Sequence, residues 1–146
     1  MDVTAALQAR CDPDELFAYV DDLGRYPAWM DLVHAADRLD GEPPVWDAEL
    51  RARLGPLARS KRLRMVRTVH DSQRRVVRFE RQELDGRSHS PWILSAEVGA
   101  HGDLADLAVH LHYGGGLWTG GVLERALTEQ INQGRDRLIA LVTPTP

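Results

Sequence analysis

The sequence predicts an α+β domain in which a curved antiparallel sheet of about seven strands wraps around a long C-terminal helix, with two short helices after the first strand. Three observations carry this. From Val33 to about Tyr113, apolar and polar residues alternate in most segments, the period of strands with one dry and one wet face. Gly55-Pro56, Asp71-Ser72, Asp85-Gly86 and His101-Gly102-Asp103 divide that stretch at hairpin spacing, which makes it an antiparallel meander. Past Gly114-Gly115-Gly116, Leu123, Leu127, Ile131, Leu138 and Val142 recur at spacings of four or seven with no proline before Pro144, which predicts a helix of ~24 residues.

Each element has its own signal. Val3, Ala5, Leu7 and Ala9 alternate as a first strand. Asp12 stands as an N-cap before Pro13, with Asp14 and Glu15 in the first turn, where a helix dipole favours carboxylates. Leu16, Phe17, Val20 and Leu23 form the stripe of that helix, Gly24 ends it, and Tyr26-Pro27-Ala28-Trp29-Met30 is a second, very short helix. Among the later strands, Trp46, Ala48, Leu50, Ala52 and Leu54 share one face. Leu63, Met65 and Val69 share one with Arg67, and Val77 and Phe79 with Arg81. Trp92, Leu94, Ala96 and Val98 line another, as do Leu107, Val109, Leu111 and Tyr113.

At 146 residues, 43% hydrophobic and 27% charged, the chain is sized for one domain over 1–146. Cys11 is the only cysteine, which excludes an internal disulfide and a Cys-based zinc cluster. Asp2 stands where a secretory leader carries basic residues, and no apolar run nears the ~20 residues of a membrane span. The expectation is a cytoplasmic protein without membrane insertion. The net charge of -4 hides a polarity: residues 1–50 hold 12 acids and 3 arginines, residues 51–90 hold 12 bases and 4 acids, and residues 91–146 hold 3 bases and 6 acids. Outward-facing Arg51, Arg53, Arg62, Arg64 and Arg78 alternate beside Asp47, Glu49 and Glu80, so cross-strand pairs absorb much of the basic block. Lysine is nearly absent and aromatics do not interleave there, which argues against nucleic acid.

The order of elements, the segment Leu23-Gly24-Arg25-Tyr26-Pro27-Ala28-Trp29-Met30, the Phe79-Glu80-Arg81 strand and the terminal amphipathic helix resemble the START-like (SRPBCC) superfamily, in its polyketide cyclase/dehydrase and lipid-transport branch. The resemblance spans nearly the whole chain. It implies a helix-grip fold with a hydrophobic cavity between sheet and long helix. It also implies a role in binding lipids, polyketides, sterols or plant hormones, or in cyclising polyketides. The glycine-rich loop of the pollen-allergen branch is missing, since Asp40-Gly41-Glu42-Pro43-Pro44 joins the second and third strands, so the ligand rules of that branch do not transfer.

Alternation places Arg67 and Arg81 on the apolar face. A buried guanidinium needs a carboxylate, a ring of acceptors or an anionic ligand. Either these arginines snorkel or pair internally with an acid such as Asp37, or they hold an oxygen of a mostly apolar ligand. Tyr113 ends the last strand on the same face, and Trp92, Phe79, Met65 and Trp29, with Trp118, are packing residues or cavity walls. On the helix, Gln130 and Gly134 lie beside the apolar stripe. A helical glycine costs up to ~1 kcal/mol, so a strand side chain or a ligand approaches Gly134 closely.

Other chemistries find little support. His110 and His112 share a strand face, but the register turns them outward and no further ligand completes a metal set. His34, His70, His89 and His101 fall mainly in loops or strand ends, and Ser90 and Ser95 lack a nucleophile elbow. The glycine-rich segment 114–121 has Thr119 where a third dinucleotide-binding glycine belongs and no βαβ unit to serve, so it is a hinge and no cofactor is expected. Three functional hypotheses follow. The first is binding or transport of a hydrophobic small molecule, oriented by Arg67, Arg81 and Tyr113. The second is a metal-free cyclase/dehydrase, with Asp37 as the one inward acid able to serve as a base. The third is an interaction module on the outer arginine face, with a homodimer as one such pairing.

Overall fold

The computed structural model describes residues 2–54, 56–83, 90–114 and 121–144, without the side chains of 54, 57, 121–124, 126 and 127. The expectations for Gly55, Asp85-Gly86, His89, Trp118, residues 115–120 of the hinge and the side chains of Leu54, Leu123 and Leu127 lie outside the described residues. The elements run β1 (Asp2–Ala9), α1 (Pro13–Ala18), a 3-10 helix (Leu23–Ala28), β2 (Val33–Leu39), β3 (Val45–Leu54), β4 (Leu57–Asp71), β5 (Val76–Arg81), β6 (Trp92–His101), β7 (Leu104–Tyr113) and α2 (Gly121–Val142). All seven strands form one antiparallel sheet in the order β1-β7-β6-β5-β4-β3-β2. Helix α2 packs against both β1 and β3, which stand at and next to opposite edges. One helix reaches both only because the sheet curls around it.

The two short helices divide differently from the sequence expectation. Asp12 caps α1 by accepting the Asp14 N–H at 2.9 Å, but α1 ends at Ala18 rather than at Gly24. Gly24 instead lies inside the 3-10 helix, its N–H donating to the cap Asp22 at 2.9 Å. Stopping a helix early leaves carbonyls without intrahelical donors. Here four consecutive ones are met by side chains. Arg25 Nη1 donates to Ala18 O at 3.2 Å, Trp29 Nε1 to Tyr19 O at 3.2 Å, Tyr26 Oη to Val20 O at 2.8 Å and Arg67 Nη1 to Asp21 O at 2.9 Å. The 3-10 helix therefore serves as the C-terminal cap of α1, with help from β4.

The same segment plugs the core. Tyr26 meets Phe79 edge-on at 5.9 Å, Trp46 meets Phe79 edge-on at 5.4 Å, and Trp29 lies 5.0 Å from Tyr26. All four rings are buried. Burying a Phe-sized side chain contributes roughly 1.5–3 kcal/mol, and an edge-to-face pair adds about 0.5–1.5. On α2, Ile131, Gly134, Leu138 and Val142 form the buried stripe.

Two irregularities shift the strand parity. In β4, Arg67 pairs with Phe79 but Val69 with Arg78, leaving Thr68 as an extra residue. Beyond this bulge the faces exchange: Val69 is 37% exposed rather than inward, and His70 turns under α1, stacked on Phe17 at 5.8 Å and 3.0 Å from Asp21 Oδ2. In β2, Val33 pairs with Leu50 but Ala35 with Glu49, with His34 between them. Asp37 then stands opposite Asp47 and is exposed. The expected inward acid is on the outer face.

Candidate functional site

Helix α1 lies against β6 and β7, and Arg10–Asp103 and Arg75–Asp14 ion pairs tie its two flanks to the β6–β7 and β4–β5 turns. The opposite end of the sheet is built differently. There Trp92 pairs with Tyr113 across β6 and β7, their rings stacked at 5.1 Å. Arg81 lies opposite Met65 on β4. Lys61 shares the inward parity of Leu63 and Met65, and its Nζ stands 5.9 Å from the Trp92 ring centroid. Lys61, Arg81, Trp92 and Tyr113 thus form one polar cluster on an otherwise apolar face.

Its hydrogen bonding is incomplete. Trp92 is 3% exposed, and its Nε1–H has no acceptor among the described residues. A buried donor without a partner costs about 1–3 kcal/mol. Among the described residues Arg81 Nη1 reaches only the Ser90 carbonyl, at a long 3.4 Å. Burial, reinforced by the neighbouring Arg81 charge, holds the Lys61 ammonium below the usual lysine range. Among the described residues no carboxylate forms a salt bridge with Lys61, Arg67 or Arg81.

Of the residues singled out in the sequence, Arg81, Trp92 and Tyr113 come together here. The others sit elsewhere. Arg67 is held by the Asp21 carbonyl and Phe79 belongs to the aromatic core, while Met65 is buried opposite Arg81 and borders the cluster. Trp29 packs against Tyr26 with its indole N–H satisfied. Gln130 donates through Nε2 to Arg51 O at 3.4 Å, while its buried Oε1 has no donor among the described residues. What approaches Gly134 is neither a strand side chain nor a ligand but the backbone of Trp29. Lys61 is the member that sequence reasoning missed. Its signal was available: two residues before Leu63 on the same strand face, the one lysine in a run of arginines.

Between β1, β7 and α2 lies a small cavity of about 10 Å³ among Ala5, Trp29, Leu107, Val109 and Ile131. A groove of about 740 Å³ opens around the β1 edge, with Gln8, Glu97, Asp106, Arg135 and Asp136 on its walls. It includes the outer sheet face and is separate from the Trp92 cluster. On that outer face, His110 and His112 approach the same Asp2 oxygen at 2.8 and 3.0 Å, the outward orientation that alternation predicts. Arg62 pairs with Asp47 at 3.9 Å.

The fold and this inner face define a class. A family model described as polyketide cyclase / dehydrase and lipid transport matches residues 11–139, so the chain belongs to that family, whose members bind hydrophobic ligands in general. The solved structures agree on the fold, the helix-grip arrangement. A START superfamily protein from Mycobacterium smegmatis is 15% identical with a TM-score of 0.69, covering 97% of this chain and 96% of that one. Ginseng major latex-like protein 151 from Panax ginseng is 11% identical with a TM-score of 0.67, covering 99% and 98%. Protein CV1439 from Chromobacterium violaceum is 13% identical with a TM-score of 0.67, again over 99% and 98%. No curated protein matches the chain. No helix among the described residues is long and apolar enough to cross a membrane.

Proposed function

We propose that the chain binds or carries a hydrophobic small molecule, lipid-like or polyketide-like, between the sheet and α2. Its polar end meets Trp92, Arg81, Lys61 and Tyr113. The observation that carries this reading is the buried Trp92 indole N–H with no acceptor among the described residues, beside two cations that lack a described acid. Buried donors are ordinarily paired, and a ligand oxygen at this place would remove the deficit. Family membership supports the same reading, since the matching model describes lipid transport alongside cyclase chemistry. The cyclase alternative needs a base, and Asp37, the candidate for that role, is exposed on the far side of the sheet.

Native mass spectrometry of the purified protein incubated with a lipid panel tests the proposal. A one-to-one adduct that survives gentle desolvation and is weakened by Trp92→Phe is the expected result. Failure of every panel member to bind overturns it.

A further inference from the structure

We infer that the ligand's polar end is a carboxylate, which makes the ligand an amphiphilic acid. The inference rests on the binding reading above and narrows it. Elsewhere the described cations either pair with acids, as Arg10 does with Asp103, Arg38 with Glu42, Arg62 with Asp47, Arg75 with Asp14 and Arg137 with Asp31, or are exposed to solvent, as Arg51, Arg53, Arg59, Arg64 and Arg78 are. The inner-face cations are half-buried and have no described acid. Arg67 and Arg81 contact only backbone carbonyls among the described residues, and Lys61 lies beside an aromatic ring. Arg67 is satisfied at 2.9 Å. Arg81 and Lys61 are the inner-face cations left without a close acceptor among the described residues, and they share one end of the sheet with the Trp92 indole.

The three groups have one property in common: each only donates. A guanidinium, an ammonium and an indole N–H have no acceptor to offer. A ligand alcohol placed among them satisfies at most two donors and brings no charge to set against the two cations. A ketone accepts but leaves both positive charges uncompensated in a partly dry site. A carboxylate only accepts, has about four lone-pair positions for these donors, and supplies the missing negative charge. The constellation therefore selects chiefly by charge.

Isothermal titration with decanoate and with decanol, matched in chain and different in head, tests this at pH 7.5. Decanoate is expected to bind at least tenfold more tightly than decanol, and Lys61→Met to collapse that ratio towards one. Arg62→Met, one position away on the outer face, is the control and should leave the ratio intact. As a measurement that needs no variant, raising the salt concentration from 50 to 500 mM should weaken decanoate several-fold and leave decanol nearly constant. Equal binding of the two compounds, or tighter binding of decanol, overturns the carboxylate assignment while the binding reading stands. Binding of neither overturns both.

Discussion

Gly134 of α2 and the Trp29 carbonyl are in backbone contact: a Cβ built on Gly134 would stand 2.3 Å from Trp29 O and 3.3 Å from the Met30 Cα. The helix that the sheet encloses is thereby pressed onto the segment that caps α1 and fills the core. The glycine is needed because no side-chain atom fits between two main chains at that distance.

Gly134→Ala should therefore destabilise the protein although alanine is the better helix former by up to ~1 kcal/mol. Separating two packed backbones costs about 1–3 kcal/mol or more, so a net loss of about 2 kcal/mol is expected. Urea unfolding followed by circular dichroism measures it. A midpoint equal to or above that of the parent would show that the contact is not made.

Tyr26 is fully buried, and its hydroxyl donates to the Val20 carbonyl at 2.8 Å. Tyr26→Phe leaves that carbonyl without this donor, a loss of about 1–2 kcal/mol. Burial also pushes the Tyr26 phenol far above its ordinary value. The sign follows: the contribution of a group raised in the folded state is fully present below its unfolded pKa of about 10 and is lost as pH climbs beyond it. The parent should lose stability above about pH 10, and Tyr26→Phe should lose less. Parallel alkaline profiles for the two proteins would contradict this.

Much of the fold was legible because its signals are local. Alternation over Val45–Leu54, Trp92–His101 and Leu104–Tyr113 reads directly as strands with one buried face, and the Asp12-Pro13 cap marks the start of α1. What failed to read was parity across an inserted residue. The bulges at His34 and Thr68 exchange inside for outside, so Asp37 and Val69 were placed on the wrong face while Arg81, in the unbroken run Val76–Arg81, was placed correctly. Nothing local in Val66-Arg67-Thr68-Val69 announces a bulge, and the contact it permits, His70 stacked on Phe17, is made with a residue far away in the chain. The role of Arg67 was hidden for the same reason: its partner is a backbone carbonyl 46 residues earlier in the chain. For the candidate site, the aromatic pair and Arg81 could be read from strand parity, and Lys61 required attention to one cation among many.

Lys61 also sets a pH dependence. Its ammonium is held low by burial first and by Arg81 second. Below that depressed value Lys61 is charged and attracts a carboxylate; as pH rises through it, towards the ordinary lysine range, the attraction disappears. Decanoate affinity should therefore fall with rising pH while decanol affinity stays level, and Lys61→Met should flatten the decanoate curve. Titrations between pH 7 and pH 10 check this, and a decanoate affinity that rises over that interval would contradict it.

The most direct measurement follows the indole N–H of Trp92 itself. The chain has 4 tryptophans, so a nitrogen–proton correlation spectrum holds few indole signals, and Trp92→Phe identifies the one that matters. On titration with decanoate the Trp92 Nε1–H resonance should move downfield and saturate as its unpaired donor gains an acceptor, while the Trp29 signal, already bonded to the Tyr19 carbonyl, stays in place. A Trp92 resonance that does not move at saturating decanoate, or binding that shifts only the other indoles, would contradict the account.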